Sequence, residues 1–250
     1  MPTIFDHDLI MYGSTLIADA MRQGKMSINN EPITLFLWNY IEATERGAGS
    51  QQYKNTIQSL RRLKGLQLET NIKTNDKIET EGFSLIEHYR IIKKTKAGLA
   101  SVMSLKLCDW LYRAIWNSRH ELLAINKDYF HIRGPTERAV YQKVRKYCGN
   151  QPYWRVRVKT LYGMIRGYDV DPSDVKAVRR DAQNLSKFRT NIFERQVDLG
   201  TIPDYRTQLD PRNDMVIFYS RHHQSAITAA LSTICEANNR RKKRKNKPVE

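Results

Sequence analysis

The sequence predicts a mainly α-helical (α+β) fold in which a helix-turn-helix followed by a β-hairpin occurs twice, ahead of a basic C-terminal segment. Three observations carry this expectation. Amphipathic stripes of helical period recur along the chain. Two of them run into strand-like residues arranged about a polar turn. The same order of elements then restarts near Pro135. A chain of 250 residues, 40% apolar and 10% aromatic, has enough material for two cores.

Each element has its own signal. Residues 6–23 place Leu9, Ile10, Gly13, Leu16, Ile17, Ala20 and Met21 on one stripe. After the polar break 24–31, residues 33–45 read as a second helix with a short extended start at 32–35. Residues 50–64 form the third, with Ser50 as N-cap, Tyr53, Ile57 and Leu60 inward, and Gly65 as the stop. Strands at 66–72 and 83–93 flank a charged connection, 73–82. Residues 105–117 read as a core helix capped by Ser104, and 121–132 as two short strands around Asn126-Lys127-Asp128.

The second half opens with Pro135 at the first position of a helix and Gly149 just past its end. A short helix follows at 157–165, a helical turn at 173–182, and a further helix at 185–199 with Leu185, Phe188, Ile192 and Leu199 inward. A hairpin closes the unit, 204–209 and 215–220 about Asp210-Pro211-Arg212-Asn213-Asp214. A last helix is expected at 221–238 and disorder beyond it. The expected domains are two tandem winged helices, 1–132 and 133–222, and a helix with a basic tail, 223–250.

The charge balance points to a polyanion. Lys and Arg number 42 against 26 Asp and Glu, a net charge of +16. The run 240–247 (RRKKRKNK) supplies seven positive charges, yet removing 239–250, with Glu250, still leaves +10. The basic character therefore belongs to the folded part as well.

The third helix of each unit is the expected reader of double-stranded DNA. In the first, Gln51, Asn55, Gln58, Ser59 and Arg62 lie opposite the apolar stripe, with Lys54 and Arg61 at the flanks. Gln and Asn pair with adenine, and Arg with guanine, in the major groove. The expected base readers are thus Gln51, Asn55, Gln58 and Arg62. In the second they are Lys187, Thr190 and Asn191, on a face that Glu194 compromises. Backbone contacts are assigned to Lys54, Arg61, Lys73, Lys77, Arg189, Arg195 and Arg212, and in the tail to Arg240, Arg241 and Lys242. The bland alternatives are solvated helix faces and ordinary hairpin turns.

Other classes find little support. No Gly-Lys-Ser/Thr phosphate loop occurs, and the adjacent His222-His223 pair is poorly spaced for one metal. No histidine pair on alternate strand positions lies beside a tyrosine, as a nicking enzyme would need. The expectation is a non-enzymatic protein with neither cofactor nor metal. Cys108, Cys148 and Cys235 match no ligand spacing and read as small buried residues of a reducing compartment. No segment reads as a signal peptide or a membrane span. The expected location is the cytoplasm.

These segments resemble the plasmid replication initiator protein A family. The resemblance runs through 5–10 (FDHDLI), 61–72 (RRLKGLQLETNI), 109–115 (DWLYRAI), 123–133 (LAINKDYFHIR), 138–148 (RAVYQKVRKYC), 185–210 (LSKFRTNIFERQVDLGTIPDYRTQLD) and 213–218 (NDMVIF). It implies two winged-helix domains on repeated origin sites in a bacterial cell, recruitment of host replication proteins, and autorepression by a homodimer. From the residues alone, a winged-helix transcriptional repressor stands as the alternative.

Overall fold

A computed structural model describes residues 1–47, 49–74, 77–93, 100–117, 124–149, 151–194 and 197–221. The chain divides into two units, Met1–Phe130 and His131–Glu250. The expected helix at 221–238 and the basic tail lie almost wholly outside the described residues.

The first unit begins with α1 (His7–Arg22), β1 (Ile33–Phe36), α2 (Leu37–Ala43) and α3 (Ser50–Lys64). The stripe of α1 is buried at Leu9, Ile10, Gly13, Ile17 and Met21. Gly13 lets the helix approach the sheet, since a Cβ there would sit 3.3 Å from the Leu105 side chain. The core brings Leu9 and Ile17 together with Leu37, Tyr40, Ile41, Leu60, Leu63, Met103, Leu105 and Leu107.

Four strands follow, β2 (Gln67–Thr74), β3 (Lys77–Ser84), β4 (Ile86–Lys93) and β5 (Ala100–Leu107), then α4 (Asp109–Asn117). The charged connection expected at 73–82 is therefore largely strand. Among the described residues β2 and β3 form a separate two-stranded sheet, from Gln67↔Ser84 to Thr74↔Lys77. The expected strand 83–93 is divided at Leu85 between two sheets. Residues 105–107 are also strand and not the start of a helix: Met103, Leu105 and Leu107 are buried while Val102, Ser104 and Lys106 are half-buried. That alternation has period two, and Ser104 caps nothing. The strands expected at 121–132 are not found among the described residues. Lys127–His131 is instead a 3₁₀ turn, opened by the Asp128 N–H donating to Asn126 Oδ1 at 2.9 Å.

The second unit contains α5 (Pro135–Tyr147), β6 (Tyr153–Arg157), α6 (Val158–Arg166), α7 (Val175–Phe193), β7 (Tyr205–Asp210) and β8 (Met215–Ser220). β6 has no counterpart in the sequence reading. Residues 173–182 and 185–193 form one helix of 19 residues, because no Gly or Pro interrupts 175–193. Asp174 caps it, accepting from the Ala177 N–H at 3.0 Å. Leu199 falls beyond α7, in a separate 3₁₀ turn.

The two units share an order. In the first, β1 pairs with β5 and β5 with β4; in the second, β6 pairs with β8 and β8 with β7. Each is helix, strand, helix, helix, strand, strand, with the last strand at the centre of a three-stranded antiparallel sheet. The first unit adds the β2–β3 hairpin between α3 and β4, and α4 after β5. The chain is thus a mixed α+β protein with small antiparallel sheets.

Candidate nucleic-acid interface

Helix α3 presents a polar and cationic line built by its own burial pattern. Thr56, Ser59, Leu60 and Leu63 are buried. At 100° per residue the opposite side carries Gln51, Lys54, Gln58 and Arg61, all exposed. The outward line is therefore turned relative to the sequence reading. Lys54 and Arg61, expected at the flanks, are central. Asn55 and Arg62, expected among the readers, stand at the edge and are only half-exposed. Asn55 Oδ1 accepts from Gln51 Nε2 at 2.9 Å, which aligns the two amides along the helix.

The rotation has an electrostatic cause. Asp6, just ahead of α1, is 1% exposed. It accepts from Ser59 Oγ at 2.5 Å and from Arg62 Nε and Nη2 at 2.9 and 2.6 Å. The Thr3 N–H adds a further bond at 2.7 Å. Burial alone would raise the Asp6 pKa, but the hydrogen bonds from Arg62, Ser59 and Thr3 outweigh it and hold the carboxyl well below the usual carboxylate range. Ser59, expected on the open face, is drawn inward by this partner. Arg62 spends its guanidinium fork on Asp6 and so orients α3. Beside it, Arg46 Nη2 donates to Asp8 Oδ2 at 2.6 Å and to the Phe5 carbonyl at 2.5 Å. Residues 3–8 thereby tie the segment after α2 and α3 itself to the start of α1.

Helix α7 is pinned by a different cluster. Asp181 accepts from Tyr162 Oη at 2.9 Å and pairs with Arg166 Nη1 at 2.6 Å. Arg166 also lies over the rings of Tyr162 and Tyr168, at 5.8 and 5.0 Å. Asp181, Leu185, Phe188 and Ile192 make the inward stripe, of which Ile192 is fully buried and the others partly so. The opposite face runs Lys176, Arg179, Gln183, Ser186, Lys187 and Thr190, all exposed. Lys187 and Thr190 stand where the sequence reading puts them, whereas Asn191 is half-buried. Lys176, Arg179 and Gln183 were missed because the helix was expected to begin at 185. The Asp174 cap after Pro172, with no breaker following, is the signal that finds them. Glu194 is exposed but lies at the C-cap, past the last helical residue.

Other assigned cations are placed less favourably or are not described. Arg189 Nε pairs with Asp214 Oδ1 at 2.8 Å. Arg212 is exposed at the β7–β8 turn, which Asp210 stiffens by accepting from Asn213 Nδ2 at 2.7 Å. Lys73 and Lys77 belong to the β2–β3 hairpin, opposite Ile78 and Thr74; their side chains lie outside the description. Arg195, Arg240, Arg241 and Lys242 lie outside the described residues.

Neither described cysteine is primed for chemistry. Cys108 and Cys148 are buried, and burial pushes both thiols up, Cys148 to about 11. No group of His, Cys, Asp and Glu suited to a metal occurs among the described residues. None of the described helices is long and apolar enough to cross a membrane.

Comparison with known proteins places this arrangement. A provisionally named replication protein of Wigglesworthia glossinidia brevipalpis is 28% identical over 220 residues, which span 87% of this chain and 74% of that protein. Domains 2–3 of RctB share the fold, with a TM-score of 0.54 at 8% identity over 91% of this chain and 86% of that one. The replication initiator protein A family matches residues 1–181, a stretch that takes in the whole first unit and the second as far as Asp181. The chain belongs to the replication initiator protein A family.

Proposed function

We propose that the protein initiates plasmid replication by binding repeated double-stranded sites at an origin through two winged helices. In this reading α3 and α7 are the groove helices. The β4–β5 and β7–β8 hairpins are the wings, and β2–β3 is an added hairpin. The observation that carries the proposal is the pair of outward helix lines, Gln51, Lys54, Gln58 and Arg61 on α3, and Lys176, Arg179, Gln183, Lys187 and Thr190 on α7. Neither line holds a carboxylate, and each combines amides or hydroxyls for base edges with cations for phosphates or guanine. The family and the shared order of the two units support the same reading.

The mechanism asks no bond chemistry of the protein. Phosphate attraction brings the basic chain to the duplex. The Asp6–Ser59–Arg62 cluster and the Asp181–Tyr162–Arg166 cluster hold the two helices at fixed rotation, so that the same side chains face the groove at each encounter. Recruitment of host replication proteins, self-association and autorepression belong to this proposal as its consequences at the origin.

The deciding experiment is transformation. The gene with its flanking DNA should sustain a plasmid that lacks another origin, and the protein should protect tandem repeats in that flank. Protection of one promoter palindrome, with no replication, would favour a repressor instead.

A further inference from the structure

Where α5 ends beside β6, a column of aromatic rings leads from the core of the second unit to its surface. Phe218 on β8 is fully buried. Trp154, its cross-strand neighbour on β6, stacks on it with centroids 5.7 Å apart and planes 20° from parallel. Tyr147, the last residue of α5, stacks on Trp154 at 5.3 Å and 16°. Trp154 is half-buried and Tyr147 is 40% exposed. A near-parallel column whose outermost ring meets water offers its face to one more flat ring.

The surroundings of the column are cationic. Residues 138–168 contain eight Lys and Arg and no Asp or Glu. On α5 Lys143 and Lys146 share an arc of about 100° with Tyr147, and the Lys146 ammonium stands 5.6 Å from the Tyr147 ring centre. β6 is an edge strand, and Arg155 is exposed on it, on the face opposite Trp154. The carboxylates of this unit that flank these elements are placed elsewhere. Glu137 is at the opposite end of α5, where it accepts from the Asp198 N–H. Asp204 and Asp210 stand at the two ends of β7, the other edge of the sheet, and Asp214 pairs with Arg189.

Bases within a duplex have both faces covered by their neighbours, whereas an unpaired strand can lay a base on an aromatic ring while cations follow its phosphates. We propose that Tyr147 and Trp154 form a stacking platform for a base of single-stranded DNA, with Lys143, Lys146 and Arg155 holding the adjoining phosphates. DNA is the strand expected in a family of replication initiators. The platform uses neither α3 nor α7, so it stands or falls apart from their reading of duplex sites.

The test uses the full chain, a labelled thymine strand of about 20 nucleotides, longer than one site of this kind, and a thymine–adenine duplex of the same length. Anisotropy titrations over a range of salt give both affinities. Tyr147→Leu keeps an apolar side chain but removes the ring. It should weaken binding of the single strand about fivefold or more and leave the duplex affinity at its wild-type value. Tyr147→Trp should keep single-strand binding. Lys143→Ala and Lys146→Ala, both away from the core, should each lower the single-strand salt slope by about 0.7, which tests the site even if Tyr147→Leu folds poorly. The inference is overturned if the wild-type chain does not bind the strand, if a folded Tyr147→Leu binds it as tightly as wild type, if strand and duplex affinities fall together, or if neither lysine variant changes the slope. Tighter binding of an RNA strand of the same length would overturn the assignment to DNA.

Discussion

Arg62 shows how one side chain changes role between sequence and structure. On the helix it is a cation well suited to guanine. In the fold its side chain is 35% exposed and its fork closes on Asp6. Arg62→Ala is therefore expected to lower stability by about 1–3 kcal/mol, less than a fully buried pair because water reaches the guanidinium. Denaturant melts measure this. Base preference under the first unit should also blur, because α3 is no longer held at one rotation. Lys54→Ala and Arg61→Ala should do the reverse, leaving the melts within about 0.5 kcal/mol and weakening binding. A melt unchanged in Arg62→Ala would remove its positioning role.

Asp6 adds a dependence on pH with a definite sign. Its folded pKa lies below the unfolded value of about 4. The carboxylate therefore stabilises the fold above the unfolded pKa, and that contribution is lost as pH falls toward the folded one. Stability of the wild-type protein should drop between ~pH 5 and ~pH 2, and Asp6→Asn should flatten that part of the profile at the cost of lower stability at neutral pH. Melts across the acid range check both halves of the expectation.

At the scale of elements, the helices were the most legible part of the sequence. α3 occupies the expected 50–64 and ends at Gly65, but Gly49 and not Ser50 stands at its N-cap, because Ser50 is already helical and its side chain caps nothing; α1 differs from its expected span by one residue at each end. The β7–β8 hairpin was legible from its turn, Asp210 to Asp214. Less legible were segments where periods of 2 and 3.6 both fit. Met103, Leu105 and Leu107 alternate as a strand, but Leu107 also begins an apolar helical stripe with Leu111. Only pairing with β1 and β4 separates the two readings. β6 was hidden because Tyr153, Trp154 and Val156 offer three apolar residues in a stretch rich in arginine.

The continuity of α7 gives a test at this scale. Gln183→Pro removes a helical N–H and clashes with the preceding turn, so it should cost about 3 kcal/mol in a continuous helix. Two separate helices meeting near 183 would tolerate it. Asp181→Asn should weaken the link between α6 and α7, lowering the melting temperature and blurring base preference under the second unit more than under the first. Footprinting on a selected site distinguishes those effects.

For the whole molecule the charge distribution would set the kinetics and salt response of the proposed DNA binding. A net charge of +16 is spread so that +10 remains without residues 239–250. Truncation after Asn238 should therefore leave site preference intact and reduce the slope of log affinity against log salt by no more than about 6, the value if all seven tail cations met phosphates. Loss of site preference on truncation would assign the tail a reading role.

The sequence by itself determined the periodic helices, the two-fold recurrence of their order, the basic balance, and through its segments the replication initiator protein A family. These are local or additive properties: a stripe, a cap, a turn or a net charge needs no distant partner. The tertiary structure alone decided which face of α3 looks outward. Ser59 is inward because Asp6 waits for it 53 residues away, and Arg62 is withdrawn from the open line by the same carboxylate. In α7 the tertiary contribution is the partner of Asp181, which Tyr162 and Arg166 hold against α6. The Asp6–Arg62 pair joins residues that no sequence window contains, and turning α3 about its axis is enough to make an expected reader a strut.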